Sequence, residues 1–287
     1  MTPDAEPART IAFQGEPGAY SDLACRAAYP DRTTLPCPSF EEAFAAVEEG
    51  RAELAMIPIE NSVAGRVADI HQLLPETGLH IIGEHFQRVQ HQLLAPRGAS
   101  LASVRRVHSH VQALSQCRRS LRGLGLQPVT YPDTAGAAAY VARLGDPAEA
   151  AIASSLAGEI YGLETLRADI EDEKHNTTRM IVLSRDPKVP DPKSGRLVTT
   201  FVFRVRNVPA ALYKAMGGFA TNGVNMTKLE SYMVGGEFAA TQFYADVEGH
   251  PDHPNVRLAL EELDFFSREV RILGVYPAHP FRQRMSV

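Results

Sequence analysis

Two patterns of hydrophobic and polar positions divide this chain. Up to about residue 184, short apolar runs of strand length are separated by longer segments with helical spacing, the pattern of buried strands alternating with covering helices. The runs are Ile11-Ala12-Phe13, Thr33 to Cys37, Ala52 to Ile59, Leu79 to Gly83, Val89 to Ala95, Val104 to Val107, Gln127 to Tyr131, Ala150 to Ala153 and Ile181-Val182-Leu183. Helices are expected up to Tyr29, from Ser39 to Gly50, near Val67 to Leu74, from Gln112 to Leu124, from Thr134 to Arg143, and from Ser154-Ser155 to Tyr161. Ser39 with Glu42 three residues on has the form of a helix-opening cap.

Between Arg185 and Gly195 the periodicity stops, and Pro187, Pro190 and Pro192 mark a domain boundary. Beyond it the order is strand (Leu197 to Val205), helix (Ala210 to Thr221), strand (Val224 to Met233), strand (Phe238 to Val247), helix (Val256 to Phe265) and strand (Val270 to Tyr276), with Gly235-Gly236 turning the central hairpin. A β-α-β-β-α-β run of this size predicts a ferredoxin-like sandwich. Such a small sheet with helices on one face is expected to pair with another copy.

Composition narrows the classes. A chain of 287 residues with 44% hydrophobic residues buries a real core, in two domains or three compact units. A formal charge of -5 argues against nucleic acid or an anionic membrane as main partner, while leaving room for a small anion held by a local cluster of donors. Cys25, Cys37 and Cys117 match no zinc spacing and no disulfide framework, and read as reduced, mostly buried thiols. Met1 to Arg9 carries Asp4 and Glu6 and no apolar core of a signal segment, and no stretch reaches membrane-span length. The expected location is the cytoplasm.

Candidate chemistry collects where strands end. The loop Gln14-Gly15-Glu16-Pro17-Gly18-Ala19-Tyr20-Ser21 has two glycines that let backbone approach a ligand, and equally fits an ordinary strand-to-helix turn. Pro58-Ile59-Glu60-Asn61-Ser62 puts an amide and a hydroxyl at the carboxyl end of a strand, where open α/β sheets bind ligands. His108-Ser109-His110 follows another strand. No Cys, Asp or Glu at familiar spacing completes a metal shell there, so donors for an anion are the preferred reading. Thr134 and Ser154 are hydroxyls at two further strand-to-helix turns, and His85 and His91 read as structural or solvated. The richest cluster is His175-Asn176-Thr177-Thr178-Arg179-Met180, read as the polar mouth of the strand Ile181-Val182-Leu183.

In this order, the loop at 14–21, Pro58 to Ser62, His108-Ser109-His110-Val111-Gln112-Ala113-Leu114 and Asn176-Thr177-Thr178-Arg179 resemble the motifs of prephenate dehydratases, and the tail resembles an ACT regulatory domain. The resemblance covers about Thr10 to Phe281. It implies a two-lobed, periplasmic-binding-protein-like catalytic region over 10–184, with lobes of about 10–82 plus 175–184 and 83–174, then a linker at 185–195 and an ACT domain at 196–281. The dehydratase pattern begins almost at the first residue, which implies the form without fused chorismate mutase helices. The implied reaction is decarboxylative dehydration of prephenate to phenylpyruvate in phenylalanine biosynthesis, with no cofactor and no metal. Thr178, Ser62 and Asn61 are the implied catalytic residues. Ala19, Tyr20, Ser21, Ser109, Thr134, Ser154, Asn176 and Arg179 are the implied substrate binders, Arg179 as ligand or as structural pin. L-phenylalanine is the implied effector, held near Ala210, Ala211, Leu212, Asn225, Glu230 and Ser231 in a homodimer or homotetramer. Three motifs depart from the family: Met180 replaces the aromatic after the arginine, and Ala210-Ala211-Leu212 and Glu230-Ser231-Tyr232-Met233 replace Gly-Ala-Leu and Glu-Ser-Arg-Pro. Arogenate dehydratase and a non-catalytic two-lobed sensor of a small acid are the alternatives.

Overall fold

In the computed structural model, which describes residues 9–206, 208–233 and 240–284, the chain begins β1 (Thr10–Gln14), α1 (Tyr20–Ala28), β2 (Thr33–Cys37), α2 (Phe40–Glu48), β3 (Leu54–Asn61), β4 (Gly65–Arg66), α3 (Ala68–Leu73) and β5 (His80–Arg88). It continues β6 (Gln92–Ala95), β7 (Arg106–Ser109), α4 (Val111–Gln116), α5 (Arg118–Leu124), β8 (Gln127–Thr130), α6 (Thr134–Leu144), β9 (Glu149–Ala153), α7 (Ser155–Tyr161), β10 (Glu164–Arg167) and β11 (Thr177–Ser184). Two sheets result. The first has the order β2-β1-β3-β11-β5 with β4 beside β3, and the second β10-β6-β9-β7-β8. The pairs β1–β2, β1–β3, β7–β8 and β7–β9 are parallel, and the inner strands β1, β3 and β9 are largely buried and apolar while the edge strands β2 and β8 are partly exposed. Ile11, Ala12 and Phe13 are wholly buried, as are Ala150 to Ala153, each large side chain stabilising by about 1.5–3 kcal/mol. The chain crosses from the first sheet to the second after β5 and returns before β11. The two crossings are joined where the Val89 amide donates to the Asn176 carbonyl at 2.9 Å.

The remaining elements are β12 (Leu197–Val205), α8 (Ala211–Thr221), β13 (Met226–Met233), β14 (Ala240–Glu248), α9 (Pro254–Phe266) and β15 (Ser267–Pro277), with a 3₁₀ turn at Pro280–Arg284. Their sheet runs β13-β14-β12-β15 with antiparallel pairing, the ferredoxin-like order. Phe201, Phe203, Phe219 and Phe243 centre its core. The expected turn at Gly235-Gly236 and the segment before Arg9 lie outside the described residues. Internal contacts group residues up to Val67 with His85–Met180, and Ala68–Glu84 with Ile181 onward. Within the second group the Arg271 guanidinium donates to the carbonyls of Pro75 at 2.8 Å and Thr77 at 2.5 Å, so the turn between α3 and β5 is tied to the ferredoxin-like strands. Among the described residues no helix is long and apolar enough to cross a membrane.

Several local expectations change. The polar run after Gly83 does not end a strand, because β5 continues to Arg88 as a half-buried strand, and the apolar run from Val89 yields only β6. The helix expected over 112–124 breaks at Cys117, whose φ of -114° and ψ of 17° are not helical, giving α4 and α5. Thr177, Thr178 and Arg179 are not a loop at a strand's mouth but the first three residues of β11. Ser39 caps α2 as expected, accepting from the Glu42 amide at 3.2 Å.

Candidate active site

Strand β3 ends beside the start of β11, and the residues there knit one polar cluster. The Ser62 amide donates to the Thr177 carbonyl at 2.9 Å, the Thr177 amide donates to Ser62 Oγ at 3.0 Å, and Ser62 Oγ donates to the His175 carbonyl at 2.9 Å. These bonds fix the ends of both strands in register. Asn61 Oδ1 accepts from the amides of Val63 and Ala64 at 2.9 and 2.8 Å, which turns its Nδ2 toward Asn176 Oδ1 at 2.8 Å and Thr178 Oγ1 at 3.0 Å. An amide nitrogen only donates, so the Thr178 hydroxyl accepts here and keeps its own proton for another acceptor. Thr178 is half-buried, and Asn176 two residues before it is on the same side of the strand.

From the second sheet, α4 brings Gln116, whose Oε1 accepts from Asn176 Nδ2 at 2.9 Å. Asn176 and Gln116 line a cavity of about 220 Å³ together with Val63, Ser115, Arg119, Asp172 and Glu173, a volume that suits a small molecule rather than a polymer segment. Thr178 does not line it and is reached through Asn61. Gln116 and His91 were not among the residues expected from sequence to serve the site; the run matched there stops at Leu114, two positions short. Behind Gln116 is His91, buried, with Nε2 2.9 Å from Gln116 Oε1 and Nδ1 2.8 Å from the Tyr20 hydroxyl. Burial lowers the His91 pKa and raises that of Tyr20, so both are neutral near pH 7.

The other expected binders divide. Ala19 opens α1 with no side-chain cap, leaving the amides of Tyr20 and Ser21 at a helix start, and Ser21 is buried. Gly18, with φ of 88°, does not open space for a ligand: a Cβ there would meet the Cα of Ala157 at 2.7 Å, so this glycine lets α1 and α7 approach. Ser154 is the N-cap of α7, accepting from the Ala157 amide at 3.0 Å and donating to the Gly18 carbonyl at 2.5 Å. Ser109, fully buried, donates to the Ile152 carbonyl at 2.6 Å. The protons of both serines are therefore engaged inside the protein. Thr134 is the first residue of α6, whose cap is Asp133, accepting from the Gly136 amide at 2.6 Å. Arg179 is 3% exposed and donates to Glu60 at 3.0 Å, the geometry of a pin between β11 and β3. In the tail, Ala210 has the left-handed φ of 61°, Ala211 and Leu212 pack on the ferredoxin-like core, Asn225 donates to Glu248 at 3.1 Å, Glu230 pairs with Lys228 at 3.2 Å, and Ser231 is on β13.

Residues 11–188 match the family model described as prephenate dehydratase. The chain belongs to the prephenate dehydratase family. It is 59% identical, over 96% of its length and 98% of the relative, to a "Bifunctional N-acyl-homoserine lactone acylase/prephenate dehydratase" of Komagataeibacter europaeus. It is 39% identical, over 93% of its length and 72% of the relative, to "Arogenate dehydratase/prephenate dehydratase 2, chloroplastic" of Arabidopsis thaliana. Among solved structures, the prephenate dehydratase of Arthrobacter aurescens in complex with L-Phe superposes with a TM-score of 0.86 at 32% identity, covering 94% of this chain and 90% of the other. In this prephenate dehydratase family member, the two-lobed α/β architecture and the ferredoxin-like third sheet agree with the expected fold.

Proposed function

We propose that this protein is a prephenate dehydratase acting in phenylalanine biosynthesis, with Thr178 as the donor to the departing ring hydroxyl. The observation that carries the assignment of roles is the direction of the Asn61–Thr178 bond: Thr178 accepts from Asn61, which leaves its O–H aimed elsewhere. In the reaction the bond to the ring carboxylate breaks, its electrons complete the aromatic ring, carbon dioxide leaves, and the ring hydroxyl departs as water after gaining one proton. A threonine is too weak an acid to be ionised in this step, so its part is a hydrogen bond that strengthens as charge builds on the leaving oxygen. Asn61 holds the Thr178 hydroxyl in place, and Ser62 anchors the backbone of His175 and Thr177 before it. The Gln116 and Asn176 amides and the first-turn amides of Tyr20 and Ser21 are suited to the substrate carboxylates, while Ala19, whose own amide donates to the Glu16 carbonyl at 3.0 Å, sets the start of that turn. Ser109, just before α4, and Ser154, bonded to the Gly18 carbonyl before α1, shape turns that carry these donors, Thr134 opens α6, and Arg179 braces β11 against Glu60.

We assign 10–184 to the catalytic region, 185–195 to the linker and 196–281 to an ACT domain; the β-α-β-β-α-β order and separate phenylalanine-rich core support the last. L-phenylalanine as feedback effector is supported by the related complex with L-Phe, and Ala210 to Leu212, Asn225, Glu230 and Ser231 are the residues proposed to hold it. A homodimer or homotetramer and a cytoplasmic location belong to the same proposal. Phenylpyruvate formed from prephenate by purified protein, and lost in Thr178→Val, tests the reading.

A second reading rests on the 59% identity to the relative named as an acylase as well. Amide hydrolysis by a protein nucleophile needs that nucleophile beside a base. Thr178, Ser62, Ser109 and Ser154 instead bond to amide or carbonyl groups. Homoserine lactone released from an N-acyl-homoserine lactone would establish that activity, and its absence would remove it.

A further inference from the structure

The hydrogen-bond chain behind the cavity has a direction that two backbone donors fix. Val63 and Ala64 donate to Asn61 Oδ1, so the Asn61 nitrogen must face Asn176 Oδ1. Asn176 therefore presents its own nitrogen to Gln116 Oε1. That oxygen is an acceptor, and the His91 Nε2 located 2.9 Å from it must carry a proton. In the neutral ring Nδ1 is then bare and accepts from the Tyr20 hydroxyl at 2.8 Å, with the Gln90 carbonyl a second acceptor for that hydroxyl at 3.0 Å. Around the ring are Tyr20 on α1, Gln116 on α4 and Glu171 ahead of β11, whose carboxylate accepts from the His91 backbone amide at 2.9 Å. Burial, more than any other influence, lowers the ring's affinity for a second proton despite Glu171.

We propose that His91, held by Tyr20 as the Nε2–H tautomer, is a positioning residue: its donation to Gln116 Oε1 turns both Gln116 N–H groups toward the cavity, where they bind a substrate carboxylate. The proposal rests on the dehydratase reading for the identity of that carboxylate. With only Asn176 holding Oε1, the Gln116 carboxamide would turn more freely and the carboxylate would lose well-aligned donors. The residue acts through Gln116 and touches no reacting atom.

The test combines kinetics on prephenate with imidazole ¹⁵N spectra of the whole protein. His91→Gln places an amide N–H where Nε2–H was and is expected to keep KM within about twofold. His91→Phe removes the donor and is expected to raise KM about 5- to 10-fold with kcat within about twofold, the scale of one hydrogen bond. The wild-type spectrum, with the His91 signal assigned by its loss in His91→Gln, should show the neutral Nε2–H form alone at neutral pH. A merely structural His91 would lower Tm in both variants and leave KM unchanged, which overturns the proposal. An Nδ1–H tautomer overturns it even if His91→Phe fails to fold. Wild-type protein that shows the Nε2–H tautomer but makes no phenylpyruvate would overturn the carboxylate role through the functional reading, not through the orientation of Gln116.

Discussion

Replacing Thr178 with valine removes one hydroxyl from the centre of the proposed mechanism while keeping the β-branched shape that suits β11. Two losses follow from the geometry. The leaving oxygen loses a donor that acts mainly in the transition state, which costs about 2.7–4 kcal/mol, or 10²–10³ in kcat. Asn61 Nδ2 loses its 3.0 Å acceptor, but the backbone amides of Val63 and Ala64 and the bond to Asn176 still hold the carboxamide. Because Thr178 is half-buried, that second loss costs about 1 kcal/mol of stability and leaves the fold intact. The assay is phenylpyruvate formation at saturating prephenate, with the non-enzymatic reaction subtracted, beside thermal unfolding. Thr178→Ser, which keeps the hydroxyl, should retain most of the turnover. A valine variant within about threefold of wild type in kcat would refute the reasoning, since no transition-state donor of the stated strength could then reside at Thr178.

Other perturbations test the scaffold. Gly18→Ala forces a Cβ to 2.7 Å from the Ala157 backbone at a φ of 88°, and is expected to cost about 2–4 kcal/mol, seen as a lower denaturation midpoint at unchanged slope. Ala210→Gly relieves a non-glycine residue at a φ of 61° and should raise stability by up to about 1 kcal/mol, read from the same curve. At Glu149, burial acts to raise the pKa, but hydrogen bonds from Arg106 at 2.7 Å and His108 at 2.6 Å outweigh it and hold the carboxyl below its usual range. Its folded value is depressed, so its contribution is complete above the ordinary carboxyl range and is lost as pH falls through the lower folded value. Urea titrations from pH 6 to about pH 3 should therefore show a shallower acid loss in Glu149→Gln than in wild type.

The parts of this protein legible in its sequence are those governed by local rules. Apolar runs such as Ile11 to Phe13 and Ala150 to Ala153 can be buried only in a sheet covered on both faces, and the Ser39 cap needs nothing beyond its own turn. The ferredoxin-like tail follows from its alternating elements. What escaped was set by partners distant in sequence. The mainly polar stretch from Glu84 to Gln87 continues a strand because β11 lies beside it, a pairing that no local pattern contains. Gln116 matters through its bonds to Asn176 and His91, 60 and 25 positions away. The hydroxyls of Ser154 and Ser109 looked free to bind a ligand, yet they donate to carbonyls 136 and 43 positions away. The packing of residues 68–84 with the C-terminal strands has a practical consequence: deleting everything after Gly195 would strip the turn between α3 and β5 of its partner Arg271, so effector sensitivity is better tested by point substitutions such as Asn225→Ala.

The most direct measurement of the central claim supplies purified protein with prephenate and arogenate as competing substrates and follows phenylpyruvate and phenylalanine by mass, with acid-driven background subtracted. Phenylpyruvate from prephenate is the expected dominant product, dependent on Thr178. Phenylalanine from arogenate in excess would contradict the substrate assignment, and neither product above background would contradict the enzyme itself.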